Sequence, residues 1–316
     1  MSWHGPSTHY PVQPRFLGPY TFGHVQHSRD LEGVDVAILG VPFDTGVTYR
    51  TGQRFAPGAI RLASSRLREY NEALDVKPFQ VLNCVDYGDA PIIPGDTDGS
   101  MVVIESEVAK IVAAGATPVM MGGDHTCTLA HLRAVAKNRP VAVIDFDAHS
   151  DTAHDIMGRP YNHATWVRRA VEEGLVDVEH SIQLGLRGSI GEPDERTEVR
   201  TALGIEYVTT DDMLKVGAEA VAARIRERVG DAPTYLSLDI DVLDPAFAPG
   251  TGTTEVGGPS TRDLQVVLRG LVGTRLVGWD VMEVIPAYDH AELTTTAAMT
   301  MIFELLCVLA VSPSDR

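Results

Sequence analysis

The sequence predicts an α/β protein in three layers, a mainly parallel central sheet with helices packed on both faces. Short β-rich apolar runs alternate along the 316 residues with longer stretches of helical period. The short runs are apolar almost throughout, rather than at every second residue, as strands buried on both faces must be. Polar residues of unusual composition follow several of these runs, at the strand ends where ligands collect in open α/β sheets.

The strand-like runs are VDVAILG (34–40), VLNCVDYG (81–88), TPVMMGG (117–123), PVAVIDFDAH (140–149), SIQLGLRG (181–188), TYLSLDID (234–241) and LVGWDVMEV (276–284), with a weaker IEYVTT (205–210). Helical period appears at 101–115, 213–230 and 260–273. The segment 294–311, TTTAAMTMIFELLCVLAV, approaches membrane-spanning length, but its threonine-rich start and Glu304 mark it as a buried C-terminal helix. No repeat, low-complexity tract or linker interrupts the pattern, so a single domain over 1–316 is expected. Residues 1–30, rich in Pro, Gly and His without a visible period, read as an irregular N-terminal arm.

Composition narrows the partners. Lys and Arg number 26 against 43 Asp and Glu, a net charge of −17, which argues against nucleic acid and anionic membrane surfaces. Cys84, Cys127 and Cys307 are odd in number and never paired as CxxC, so neither a disulfide framework nor a zinc–thiolate site is expected. With no basic start followed by an apolar core at the N-terminus, a reducing cytoplasmic location is the expectation.

The chemistry concentrates at four strand ends. VIDFDAHSD (143–151) holds Asp145, Asp147, His149 and Asp151; GGDH closes on His125; SLDID carries Asp239 and Asp241; Glu283 closes the run at 276–284. Burying several like charges together is strongly unfavourable unless a cation compensates them. In an extended strand the i, i+2 pairs Asp147/His149 and Asp239/Asp241 each share a face. Four aspartates and two histidines exceed the needs of one divalent ion and suit a pair bridged by carboxylates, roughly 3.5–4 Å apart. Oxygen-rich ligands with a minority of imidazole favour Mn²⁺ over zinc. Taken alone, DxHxD and DxD are weak motifs whose acids could be turn residues; the coincidence of three motifs at matching positions carries the reading. Asp145 reads as a supporting or paired carboxylate, Asp124 and Asp244 as turn residues.

GGDH, DAHSD and SLDIDVLDPAFAPGTGT together resemble the three signature blocks of the ureohydrolases, the family of arginase, agmatinase, guanidinobutyrase and proclavaminate amidinohydrolase. Family-like stretches run from about Val34 to the C-terminus, among them GVPFDTGVTYRTGQRFAPGAIR (40–61), typical of the agmatinase branch. The resemblance implies an arginase-like fold and two Mn²⁺ per chain, with Ni²⁺ as an alternative. His125, Asp147, Asp151 and Asp239 would hold one ion and Asp147, His149, Asp239 and Asp241 the other. Glu283 would pair with a guanidinium, and His163 in YNHAT would shuttle protons. The implied reaction is hydrolysis of a small cationic guanidino substrate to urea and an amine, with Asp151 relaying a proton. Homotrimers or hexamers are usual in the family, so a homo-oligomer is expected.

Ala164, Thr254, Thr126 and Cys127 depart from the usual family residues without removing a ligand, in loops that line the substrate pocket of the family. A zinc deacetylase of similar fold would want an adjacent His pair and a nucleotide-binding protein a GxGxxG or GxxxxGK[ST] motif; neither occurs. A non-catalytic, metal-stabilised binding or assembly subunit is the reading of a different class, and the complete ligand set with Glu283 argues against it. For the substrate, the segments 165–177 and 14–25 look more like guanidinobutyrase-type enzymes than bacterial agmatinases; Arg168, Arg169 and Arg187 fall in or near pocket-side segments, though each reads first as a solvated or structural arginine. A guanidino acid such as 4-guanidinobutyrate is therefore expected over agmatine.

Overall fold

The computed structural model describes residues 15–191 and 203–312. Its strands are β1 (Val36–Gly40), β2 (Cys84–Asp89), β3 (Thr117–Met121), β4 (Ala142–Phe146), β5 (Ile182–Leu186), β6 (Glu206–Thr209), β7 (Thr234–Leu238) and β8 (Leu276–Val281). Among the described residues they form one sheet, ordered β2-β1-β3-β8-β7-β4-β5-β6, in which each pairing is parallel. The helices are α1 (Ala56–Ser64), α2 (Pro78–Val81), α3 (Thr97–Ala113), α4 (Thr126–Val135), α5 (Trp166–Glu172), α6 (Thr210–Val216), α7 (Ala218–Val229), α8 (Thr261–Arg269) and α9 (Leu293–Val311).

Strand alternation makes two cores. Val36 and Ile38 of β1 join Ile60, Ile225, Leu264 and Ile302 on one face of the sheet. Ala37 and Leu39 join Ile104, Leu129 and Trp166 on the other. This is the expected three-layer arrangement, with both faces of the sheet kept from water. The topology then brings the chemistry together. The chain leaves β3 through α4 and re-enters the sheet at β4, and β8 and β7 later fill the gap between them. The four strands whose ends carry His125, Glu283, Asp239 and Asp147 are consecutive neighbours in the middle of the sheet.

Several boundaries differ from the sequence reading for local reasons. β4 and β7 stop at Phe146 and Leu238, so the i, i+2 pairs do not lie in extended strand. Asp147 Oδ1 accepts from the His149 N–H at 2.6 Å, and Asp239 Oδ1 from the Asp241 N–H at 2.8 Å. Each aspartate thus turns the backbone with its own side chain. The helical period at 213–230 is broken into α6 and α7 at Gly217, whose φ of 87° is unfavourable for other residues. Helices α1, α4 and α5 were not legible as helical period. The irregular arm is irregular but not loose where described: Phe22 and Val25 are buried in the core, and Phe22 N–H donates to Asp86 at 2.9 Å. Residues 1–14 of it lie outside the described residues.

Helix α9 meets the length and hydropathy of a membrane span, yet it is largely buried and packs against α1 and α8. Glu304 within it accepts from Asn71 Nδ2 at 2.8 Å, Gln265 Nε2 at 3.0 Å and Arg269 Nε at 2.9 Å. A charge so satisfied belongs to a protein core.

Glycines mark where the backbone must pass close to itself. A Cβ on Gly123 would stand 2.5 Å from the carbonyl oxygen of Phe43 and 2.8 Å from that of Val41, both backbone atoms. At Gly58, inside α1, a Cβ would meet nothing within 4 Å. Thermal melts should therefore separate the two substitutions: Gly58→Ala should stabilise by about 0.5–1 kcal/mol through helix propensity, and Gly123→Ala should destabilise by roughly 1–3 kcal/mol through overpacking. A Gly123→Ala protein that melts like the wild type would contradict the close approach.

Candidate metal centre

The turn after β3 delivers His125 to the floor of the site. Gly122 lies against the Val281 carbonyl, where a Cβ would come within 2.6 Å, so the turn can sit directly on β8. His125 is fully buried, its ring 4.9 Å from that of Trp166. Its Nδ1 faces three carboxylate oxygens, of Asp147, Asp151 and Asp239, each at 3.2 Å. Its Nε2 is 2.8 Å from Ser237 Oγ, and Ser237 donates to Asp280 Oδ1 at 2.7 Å. That second contact leaves Nδ1 as the ring atom turned to the carboxylates.

A second group adjoins the first. His149 Nδ1 lies 3.1 Å from Asp241 Oδ2 and 3.4 Å from Asp147 Oδ1. His125, Asp147 and Asp151 can converge on one ion, and Asp147, His149 and Asp241 on another, so Asp147 belongs to both. Asp239 faces the first group through His125. The fit to cations has a direct sign: His125 Nδ1 and Asp147 Oδ2, 3.2 Å apart, are buried and neither makes a well-aligned hydrogen bond. Buried polar atoms are otherwise hydrogen-bonded in folded proteins.

The electrostatics match. Burial, then the charges of Asp241 and Asp147, push the Asp239 carboxyl well above its usual range. Burial and Asp147 lift Asp151 to about 6. Burial opposes a charge on His125, but Asp147, Asp151 and Asp239 overcome it and raise the imidazole well above its ordinary value. Four carboxylates thus compete for two imidazoles, an imbalance that divalent cations relieve. Asp151 adopts φ of 50° and Glu283 φ of 66°, left-handed conformations that are uncommon outside glycine and concentrate at functional sites.

Glu283 is 2% exposed. Its Oε1 accepts from the His125 backbone N–H at 2.8 Å and lies 3.5 Å from His163 Nδ1. His163 Nε2 accepts from the Thr48 N–H at 3.1 Å, with Thr48 Oγ1 at 2.8 Å. Burial opposes a charge on His163, while Glu283, Asp151 and Asp124 raise it to about 9. The Thr48 N–H acts against that rise: it needs a lone pair on Nε2 and so favours the neutral ring with its proton on Nδ1, facing Glu283. Asp151, Asp239, His149 and His163 line a cavity of about 280 Å³.

All eight residues singled out from sequence therefore surround one place. Asp145 stands beneath it, its Oδ2 accepting from Gln183 at 2.8 Å. Asp124 accepts from Gly46 N–H at 2.7 Å and Thr126 N–H at 3.0 Å, and Asp244 from the N–H groups of Ala246 and Gly257 at 2.9 and 2.7 Å. The three arginines are otherwise engaged. Arg168 Nε donates to the Thr152 carbonyl at 2.6 Å and Arg169 Nη2 to that of His154 at 3.2 Å. Arg187 lines the cavity but donates to the carbonyls of Asp241 and Glu255 at 2.7 and 2.8 Å, tying that loop down. Sequence reasoning gave no role to Thr48, Gln53, Ser237 and Asp280. For the first two the one signal was their place within 40–61.

A parallel α/β sheet with a buried carboxylate–imidazole cluster at its central strand ends defines a class of metal-dependent proteins. Residues 34–307 match the model of the arginase family. The chain is 43% identical over 300 residues to a guanidinopropionase of Pseudomonas aeruginosa, covering 95% of this chain and 94% of that protein. It is 40% identical over 300 residues to a guanidinobutyrase of the same organism, covering 94% of each. The solved structure of proclavaminate amidinohydrolase from Streptomyces clavuligerus superposes with a TM-score of 0.91 at 39% identity, covering 95% of this chain and 100% of that one. The chain belongs to the arginase family.

Asp239 tests the centre most directly. Asp239→Asn should fold yet bind little metal, because an anionic donor is replaced by a neutral one. Metal analysis that finds two ions per chain in the variant would remove Asp239 from the ligands.

Proposed function

We propose that this chain hydrolyses the guanidino group of a small linear guanidino acid, such as 4-guanidinobutyrate, to urea and an amine. Its class, a hydrolase of C–N bonds in linear amidines, follows from the family. One observation carries the choice of substrate. Among the described residues, apart from Asp151 and Asp239 of the cluster itself, the cavity is lined without a carboxylate; Ser150, Thr152, Ser189 and Thr253 bring hydroxyls to it instead. An amine tail, as in agmatine, would want an acid there, whereas a carboxylate tail is served by hydroxyl donors. The names of two relatives, guanidinopropionase and guanidinobutyrase, point to guanidino acids as well. Arg168 and Arg169, which the sequence places in or near a pocket-side segment, donate to backbone carbonyls and do not support the reading.

His125, Asp147, Asp151 and Asp239 would hold one Mn²⁺, and Asp147, His149, Asp239 and Asp241 a second; the oxygen-rich set with two imidazoles suits manganese or nickel better than a closed zinc site. Two such ions supply an activated water at neutral pH and neutralise developing charge. The protein's own groups do the rest. Glu283, charged and held from several sides, receives the planar guanidinium and orients its carbon toward the carboxylate cluster. Asp151, at the cavity wall, would take a proton from the attacking water and hand it to the departing amine nitrogen as the C–N bond breaks. His163, between Glu283 and the cavity, exchanges protons with solvent.

On one metal-loaded preparation, kcat/KM for 4-guanidinobutyrate should exceed that for agmatine; a tenfold preference for agmatine would reverse the assignment. His163→Asn should keep its metal content and lose turnover by ~10²-fold or more, as removal of a proton-transfer group does. Loss of metal from that variant would instead make His163 a ligand.

A further inference from the structure

Gln53 lies 230 positions from Glu283 in sequence and touches it directly. It sits just before α1, in the short turn Gln53–Phe55, on a loop that closes over the strand ends. The side chain is fully buried. Its Nε2 donates to Glu283 Oε2 at 2.7 Å and to the backbone carbonyl of Arg50 at 3.2 Å. Both partners are acceptors, so the amide can stand one way round: an oxygen in that place would face two oxygens. Its own Oε1 is consequently left buried without a donor.

The loop that carries Gln53 is fixed at several points. Asp44 accepts from Gly52 N–H at 2.9 Å and Arg54 Nε at 2.6 Å, Asp124 holds Gly46, and Thr48 meets His163. Across from Gln53, a Cβ on Gly252 would come 3.4 Å from its Nε2 and 3.6 Å from Glu283 Oε2, so the Gly252 backbone packs over this pair. Gln53 is thereby a rigid support, not an adaptable surface side chain.

We propose that Gln53 is a positioning residue of the guanidinium subsite, setting the orientation of the Glu283 carboxylate. The inference rests on the reading of Glu283 as the guanidinium partner. The chemistry of the choice is specific. Glu283 must be held in a buried place yet keep its charge for a cationic substrate. An Arg or Lys at position 53 would hold it and neutralise it, whereas a carboxamide holds it and leaves the charge. The His125 N–H fixes one carboxylate oxygen and Gln53 the other, and two anchors determine the plane in which a planar guanidinium must lie.

Gln53→Met keeps the length and volume of the side chain and removes its donors. With the metal-loaded protein, KM for 4-guanidinobutyrate should rise about 10-fold or more, as loss of a hydrogen bond to a charged group does. Metal content per chain should stay at the wild-type value and kcat should change less than KM. Because Gln53 acts on the guanidinium end, the same fold-change should appear with 3-guanidinopropionate and agmatine, whatever their activity in the wild type. An unchanged KM, or a fold-change that varies with the tail, overturns the proposal. If Gln53→Met does not fold, Gln53→Asn, which keeps a carboxamide but is one methylene too short to hold Glu283 in the same place, serves in its place with the same outcomes decisive. Wild-type protein that releases urea from none of these compounds would instead refute the proposed function.

Discussion

The structure depends on holding Asp147, Asp151, Asp239 and Asp241 together where water is largely excluded. No arrangement of apolar residues could tolerate that, because each buried carboxylate left uncompensated costs several kcal/mol. The sheet responds by placing the cluster at the ends of β3, β8, β7 and β4, where the ladder stops and backbone N–H groups become available as donors. His149 N–H and Asp241 N–H are spent on Asp147 and Asp239, and two imidazole Nδ1 atoms face the remaining oxygens. Cations finish the compensation that the protein begins.

A layer of support lies behind the cluster. Asp280 is fully buried and accepts from Ser237 Oγ, Thr128 Oγ1 and the Tyr235 hydroxyl, while Ser237 meets the far nitrogen of His125. A ring fixed at Nε2 has one way to present Nδ1, so the geometry of the centre is set from below by neutral hydroxyls around one carboxylate. Tyr235 also bonds His131 at 2.6 Å, and burial lowers that histidine to about 3, which keeps it neutral. The network thereby carries its orientation without adding a charged histidine beneath the centre.

Above the cluster, the loop at 44–54 performs the complementary task. It reaches His163 through Thr48 and Glu283 through Gln53, so the acid that would receive a guanidinium and the base beside it are fixed by the same short segment. The Glu283 backbone sits in a left-handed conformation that its neighbours must stabilise, and the surrounding hydrogen bonds do so. In the proposed mechanism, binding and proton transfer would both rest on this one loop.

The sequence by itself determined the parallel α/β class, because apolar runs separated by helical period have few other solutions, and it pointed to the acids and imidazoles of the metal cluster, because three such motifs coincide at matching strand ends. His125, Asp147, His149, Asp151, Asp239, Asp241 and Glu283 were legible in this way, whereas His163, in a loop, was legible through the family resemblance. Tertiary structure alone decided that the four strands bearing them are neighbours, since the order β3-β8-β7-β4 follows from crossovers that leave no local trace. It likewise decided that Asp147 and Asp239 turn the backbone instead of continuing it, and that Arg168 and Arg169 serve carbonyls. Gln53 is the extreme case: a neutral residue in a loop carries no chemical signal, and its meaning arises from a partner 230 residues away. Local periodicity and residue chemistry are properties of the chain, whereas which groups meet is a property of the packed sheet.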